Sequence, residues 1–342
     1  MTTPLLPDDY LAMINPLWSA RELRGRIVSV VPETADSATL TIAPGAGWRF
    51  EHRPGQYVGI GAALHGRFRW RSYSLTSVPT ARTDTLTITV KAMPEGMLSG
   101  HLVRGLEPGT VVRLARPEGD FFLPEPPPPR LLFITTGSGI TPVMAILRTM
   151  DRRGSMTDVV LVHSVPDPEA MLFRAELHDL RDHHPSFRLH EQFSRRDGRI
   201  SLTHDLQRLC PDWRERQAWV CGTDSLLEEA GRVWADANRA PSLHREKFAS
   251  ARIGNASAGG SVRFSTSGFA VETDGATTLL EAGERAGILM PFGCRMGICR
   301  TCVLPLTAGR VRDLRTGTEH EGGHQMIQTC INAPAGDCVL DI

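Results

Sequence analysis

Leu131-Leu132-Phe133-Ile134-Thr135-Thr136-Gly137-Ser138-Gly139-Ile140-Thr141-Pro142 joins an unbroken apolar run, a glycine-rich turn and a proline suited only to the start of a helix. Four apolar residues without alternation mark a strand covered on both faces, and the two glycines permit a tight turn with close backbone approach. Thr141 reads as the helix N-cap and Pro142 as part of the first turn, so that free helix amides face an anion. The turn is not the G-x-G-x-x-G dinucleotide fingerprint, because Pro142 takes the third glycine position. It is not a P-loop either, because the lysine is missing. Strand, turn and helix together open an α/β unit.

The pattern continues downstream. Val159 to Val162 is a second buried strand, Ala218-Trp219-Val220 a later one, and helices are expected over 142–150 and 169–181. Strands alternating with helices imply a parallel sheet. Upstream the texture is different: Leu86, Ile88 and Val90 alternate with threonines, and turn signals recur at Pro44-Gly45, Pro54-Gly55 and Pro108-Gly109, which predicts an antiparallel barrel. Pro124 to Pro129 separates the two textures, and Gly254 to Gly260, free of large apolar side chains, reads as a linker. The expected organisation is an N-terminal arm (1–23), a β-barrel (24–125), an α/β domain (126–250), a linker (251–260) and a third, α+β domain (261–342). The arm carries Tyr10, Leu11, Ile14, Leu17 and Trp18 at helical intervals, interrupted by Pro16, and either docks on the body or meets a partner or membrane.

With 342 residues, two or three domains are expected. Basic and acidic residues both number 38, and no run of one sign offers a footprint for nucleic acid. No stretch approaches the length of a membrane span, and the first residues lack a signal-peptide pattern, so a cytoplasmic location is expected.

Seven cysteines, an odd number without a secretion signal, argue against a disulfide framework. Four fall in one pattern: Cys294, four residues, Cys299, two residues, Cys302, then twenty-seven residues to Cys330. This is the plant-type spacing of a [2Fe-2S] cluster, with three thiolates on one loop and a distant fourth. Glycines in the loop let backbone amides turn toward the sulfurs. A structural zinc site is the alternative, but it would call for a second cysteine knuckle near Cys330, and none is present. Cys210 and Cys338 read as small buried apolar residues.

Residues 261–342 resemble a plant-type ferredoxin of the β-grasp class, including an apolar helix over 279–286 ahead of the cysteine loop. Arg300 stands where the family commonly has glycine. Seven basic and nine acidic residues make the domain only mildly acidic for a ferredoxin. The barrel carries Arg71-Ser72-Tyr73-Ser74, similar to the flavin motif of the ferredoxin-NADP reductase superfamily. That resemblance implies that Arg71 pairs with the flavin phosphate, Tyr73 lies against the isoalloxazine and Ser74 reaches its N5 region. Pro54-Gly55-Gln56-Tyr57 matches the strand ahead of the site, while Lys91 and Gly96-Met97-Leu98-Ser99 resemble the second phosphate contact. FAD is preferred to FMN. Gly137, Ser138, Gly139 and Thr141 resemble the nicotinamide-dinucleotide loop of the same superfamily, and Cys221-Gly222-Thr223 the later loop beside the nicotinamide, where Cys221 helps position the ring. Ser194-Arg195-Arg196 is suited to a 2′-phosphate, which favours NADPH over NADH. Phe248 is placed near the flavin or the linker, or in the core.

Three modules in this order imply a reductase in which NAD(P)H reduces the flavin by two electrons and the cluster carries them onward singly. With no terminal oxygen-activating motif in the chain, the expected acceptor is a separate oxygenase, hydroxylase or desaturase, with peripheral contact to a membrane-bound partner left open. The arrangement is most similar to the class containing phthalate and phenylacetyl-CoA oxygenase reductases. Asp8-Asp9-Tyr10-Leu11 and Asn15-Pro16-Leu17-Trp18 resemble the arm of actinobacterial acyl-desaturase reductases. The alternatives are a stand-alone flavin reductase or oxidase, and a reductase serving a cytochrome P-450.

Overall fold

Leu86, Ile88 and Val90 are fully buried, as their alternation requires, and belong to the last strand of a sheet that curls around its own apolar side chains. The computed structural model describes all residues except 1–6, 20–21, 65–66, 81–83, 95, 248–258, 276, 293–296, 298–300 and 315–316. Strands β1 (Leu23–Thr34), β2 (Ser37–Pro44), β3 (Tyr57–Leu64), β4 (Arg67–Ser74), β5 (Leu86–Lys91) and β6 (Val111–Leu114) form one antiparallel sheet in the order β4-β3-β6-β1-β2-β5. A bridge from Leu75 to Ile88 joins its two ends and closes the barrel. Helix α1 (Pro7–Ile14) precedes the barrel, and α2 (Met97–Arg104) plugs it with Leu98 and Leu102. After α1 the chain is tied down where Arg24 donates to the Pro16 carbonyl at 3.1 Å, yet Tyr10, Met13, Ile14 and Trp18 stay exposed.

Beyond the prolines the chain builds β7 (Arg130–Thr136), α3 (Ile140–Arg152), β8 (Asp158–Val165), α4 (Arg174–His183), β9 (Phe187–Phe193), α5 (Ser194–Asp197), α6 (Leu202–Leu209), β10 (Gln217–Gly222), α7 (Asp224–Asp236) and β11 (Leu243–Lys247). The five strands are all parallel in the order β11-β10-β7-β8-β9. The apolar runs are unbroken because both faces are covered. Leu131, Phe133, Leu161 and Trp219 pack toward α3 and α4, while Leu132, Ile134, Val160 and Val220 pack toward α6 and α7. The helix expected over 169–181 starts late, at Arg174. Phe173 takes a left-handed φ of 55°, and a separate 3₁₀ turn occupies Pro168–Ala170.

These elements lie in one compact unit, residues 1–248, and residues 249–342 form another. In the second unit β12 (Gly260–Phe264), β13 (Ala270–Thr273), β14 (Val303–Asp313), β15 (Glu319–Glu321), β16 (Gln325–Gln328) and β17 (Asn332–Leu340) make a mixed sheet in the order β13-β12-β17-β14-β15, with β16 also paired to β14. Helix α8 (Leu279–Arg285) packs on it, started by a capping box in which Thr278 and Glu281 each satisfy the other's backbone amide. Of the expected linker, Gly260 belongs to β12, whereas 254–258 lie outside the described residues.

Candidate active site

Strand order reverses between β7 and β10, and in a parallel sheet the loops leaving the two strands on either side of such a reversal diverge and open a crevice. Thr136 to Gly139 leave β7 there, and Gly222 and Thr223 leave β10. Gly137 adopts a φ of +54°, which starts a 3₁₀ turn running straight into α3. Gly139 is in ordinary helical conformation, and its need for glycine is steric: a Cβ there would lie 2.2 Å from the Cys221 carbonyl oxygen. A Cβ on Gly222 would lie 2.1 Å from Thr136 Oγ1, which itself accepts from the Thr223 amide at 3.1 Å. The two loops interlock through backbone.

The helix therefore begins at Ile140, with Gly139 and not Thr141 as N-cap. Thr141 is buried within the first turn and donates its hydroxyl to the Ser138 carbonyl at 2.9 Å, so it shapes the loop. Cys221 is fully buried in the core against Trp219. Burial, reinforced by the nearby Glu246 carboxylate, pushes its thiol far above the usual range, so it is a neutral packing group. Ser194 and Arg195 follow β9 in the short helix α5. Arg195 is exposed and ion-paired with Asp167, so any phosphate there competes with that carboxylate. Arg196 pairs with Asp197.

In the barrel, the register sets Tyr57 opposite Ser74, Val58 opposite Tyr73 and Ile60 opposite Arg71. Arg71 and Ser72 are exposed at the end of β4. Tyr73 Oη and Ser74 Oγ are buried and have no hydrogen-bond partner among the described residues. Leaving such groups unpaired costs about 1–3 kcal/mol each, and a flavin laid along β4 would supply both partners. Burial also raises the Tyr73 phenol, against the pull of Arg71, so it stays a neutral donor.

Two residues expected at the second phosphate contact have partners within the protein. Lys91 Nζ is held by Asp36 at 2.5 Å, on the β2 side of its strand. Ser99 donates to the Gly96 carbonyl at 3.1 Å and accepts from the Met93 amide, stapling the turn ahead of α2. Gly96 is needed for that staple, since a Cβ would lie 2.3 Å from Ser99 Oγ. Leu98 is core, and exposed Met97 sits at the helix start.

Sequence reasoning passed over Glu246. It pairs with Cys221 across β10 and β11, its Oε1 comes near Gly119, and its Oε2 is buried without a hydrogen-bond partner among the described residues. Burial, with the negative Asp120 nearby, pushes its carboxyl up to about 8. Glu246 shares its strand face with His244, which carries no apolar signal, so the sequence does not mark that face of β11 as buried. Phe248 lies outside the described residues.

In the second unit Cys302 precedes β14 and Cys330 precedes β17, both buried, with sulfurs 3.2 Å apart, too far for a disulfide and close enough to share a metal cluster. The Gly297 amide donates to Cys330 Sγ at 3.2 Å with φ of 81°, and Gln328 holds the Gly297 carbonyl at 2.7 Å. An amide turned onto a sulfur by a left-handed glycine fits thiolates carrying negative charge on iron. Cys294 and Cys299 lie outside the described residues.

Comparison with known proteins agrees. Residues 33–123 match the family model of oxidoreductase FAD-binding domains, 133–231 that of oxidoreductase NAD-binding domains, and 264–334 that of 2Fe-2S iron-sulfur cluster binding domains. The fold is shared with the solved phthalate dioxygenase reductase, described as modular for electron transfer from pyridine nucleotides to [2Fe-2S]. That similarity has a TM-score of 0.63 at 20% identity and covers 94% of this chain and 98% of the other. The chain belongs to the three-module reductases of the ferredoxin-NADP reductase superfamily that carry a C-terminal [2Fe-2S] ferredoxin domain, and its cofactors are FAD, NAD(P)H and the cluster. Among relatives, an NADPH oxidoreductase of Mycobacterium tuberculosis is 57% identical over 344 residues, spanning 100% of this chain and 90% of its own. The glycine betaine monooxygenase reductase subunit of Pseudomonas aeruginosa is 28% identical over 365 residues, 96% of this chain and 98% of the relative. No helix among the described residues is long and apolar enough to cross a membrane.

Proposed function

We propose that the chain is an NADPH-dependent reductase component that supplies single electrons to a separate oxygen-activating partner, an oxygenase, hydroxylase or desaturase, in the cytoplasm. The observation that carries the site assignment is the pair of buried, unpartnered groups, Tyr73 Oη and Ser74 Oγ, at the barrel end of the chain's flavin motif. The working division places flavin binding in 24–125, nicotinamide binding in 126–250 and the cluster in 261–342. When bound, nicotinamide, flavin and cluster together supply the conversion of one two-electron donor into two one-electron deliveries.

The protein's own part is positioning. Arg71 and Ser72 offer exposed donors to the flavin phosphate, Tyr73 covers the ring, and Ser74 donates one hydrogen bond in a site closed to water. Gly137, Ser138 and Gly139 present the amides of the α3 start to the dinucleotide phosphates, with Gly222 completing the crevice. Cys221 keeps the floor apolar and uncharged. Ser194 and Arg195 reach the 2′-phosphate, and Cys294, Cys299, Cys302 and Cys330 ligate the irons. Lys91 and the start of α2, Gly96, Met97, Leu98 and Ser99, are assigned to the second flavin phosphate contact, and Thr141 to the dinucleotide loop that it shapes.

The relatives named as monooxygenase reductase subunits support an oxygenase as acceptor, and the name of the mycobacterial relative supports NADPH. Anaerobic NADPH should bleach both the flavin and the iron-sulfur absorbance. The Cys302→Ser protein should keep ferricyanide reduction through the flavin and lose cytochrome reduction. Cytochrome reduction unaffected by Cys302→Ser would instead identify a stand-alone flavin reductase.

A further inference from the structure

Helix α3 carries the nucleotide loop on its first turn, and two turns further on it reaches the barrel. Arg148 Nη1 donates to the Thr76 carbonyl at 2.7 Å, two residues beyond Ser74. The rest of the guanidinium is held from behind. Nε and Nη2 form a bidentate pair with Glu176 of α4 at 2.7 and 2.6 Å, and the group lies over the Phe173 ring at 4.9 Å. Phe173 is buried and in the left-handed region that starts α4, so the platform under Arg148 is itself fixed. Thr76 is equally constrained. It is fully buried, its amide donates to the Thr87 carbonyl at 2.8 Å, and its hydroxyl bonds that of Thr87 at 2.9 Å. Close by, a Cβ on Gly55 would stand in ordinary contact with Ile146 of α3, at 3.4 Å, so helix and barrel meet there as well.

We propose that Arg148 is a positioning residue: clamped by Glu176 and Phe173, it grips the Thr76 carbonyl and so sets how far the nucleotide loop stands from Ser74. From Ile140 to Arg148 the helix rises about 12 Å, short enough to act as a rigid strut between the two loops. A forked guanidinium satisfies a carboxylate and a carbonyl together, whereas an ammonium offers a point charge without that fixed geometry. The inference rests on the flavin and nicotinamide assignments made above.

The test uses the full-length holoprotein and Arg148→Ala. Flavin reduction by NADPH in stopped flow should slow by about 10- to 100-fold, the scale of a small misplacement of reacting groups. Affinity for 2′,5′-ADP, which samples only the distant adenosine end, should stay within about twofold. The long-wavelength band formed when NADP⁺ meets the dithionite-reduced protein should weaken. Arg148→Lys, which keeps the charge beside Glu176, should recover thermal stability without recovering the rate or the band. Glu176→Gln, which loosens the guanidinium while leaving the bond to Thr76, should show a smaller loss of both, and it decides the matter if Arg148→Ala does not fold. Wild-type rates and band in Arg148→Lys and Glu176→Gln, or a loss of 2′,5′-ADP affinity equal to the loss of rate, would overturn the clamp. Failure of NADPH to reduce the wild-type flavin would instead overturn the underlying assignments.

Discussion

At the head of the parallel sheet the crevice is shaped by backbone: Gly139 lies against the Cys221 carbonyl, Gly222 against Thr136, and Thr141 spends its hydroxyl within the turn. At the end of β4 the backbone is ordinary antiparallel strand, and the specialised groups are side chains, Tyr73 Oη and Ser74 Oγ, held without partners. The first region cannot be altered without disturbing the packing of two loops. The second can lose a hydroxyl and gain stability, because an unsatisfied buried group is removed. Folding and function are fused in one place and separable in the other.

Gly139→Ala tests the first half of that contrast and should have the largest effect. A Cβ 2.2 Å from a backbone oxygen forces the loops apart, which should cost about 1–3 kcal/mol in denaturant unfolding. The same change should abolish saturable flavin reduction by NADPH, with reduction by dithionite retained. Ser74→Ala tests the other half: unfolding of the flavin-free protein should match or exceed that of flavin-free wild type, while reduction of the flavin-loaded protein by NADPH slows about tenfold, the equivalent of one hydrogen bond. A Ser74→Ala protein that unfolds early would break the comparison.

Glu246 sharpens it, being a side chain on the backbone-shaped side. Its carboxyl is raised from 4.5 to about 8, so the folded state holds the proton more tightly than the unfolded chain. The associated stability is present below 4.5 and lost as pH rises through 8. Glu246→Gln cannot ionise, and its melting temperature relative to wild type should therefore climb between pH 5 and 8 and level off above. A flat difference across that range would show that the carboxylate is solvated. The smallest effect is expected at Arg195, exposed and already paired with Asp167. Arg195→Ala should raise the KM for NADPH about three- to tenfold, the worth of one exposed charged contact, and leave that for NADH unchanged. Equal changes for both nucleotides would remove the 2′-phosphate assignment.

Much of this was legible before any coordinates. Unbroken runs such as Leu131 to Ile134 announce a strand buried on both sides and alternation at Leu86, Ile88 and Val90 announces a barrel wall, because both depend on local periodicity, while cysteine spacing announces a [2Fe-2S] domain. The start of α4 was misjudged because a left-handed phenylalanine leaves no mark in composition. That Asp36 and Gly96 lie close enough to bond Lys91 and Ser99 is likewise beyond what motif similarity shows.

The sequence alone determined which chemistry the chain can hold: three thiols on one loop with a distant fourth, a glycine turn after a buried strand, and an Arg-Ser-Tyr-Ser strand end are properties of neighbours along the chain. Only the tertiary structure decided which of those groups have protons and space to spare. It stranded Glu246 Oε2 and Ser74 Oγ, engaged Thr141 and Ser99, and brought Arg148 across to Thr76. Hydrogen-bond capacity is finite and is consumed by whatever lies within about 3 Å, and that proximity is set by packing between residues far apart in sequence.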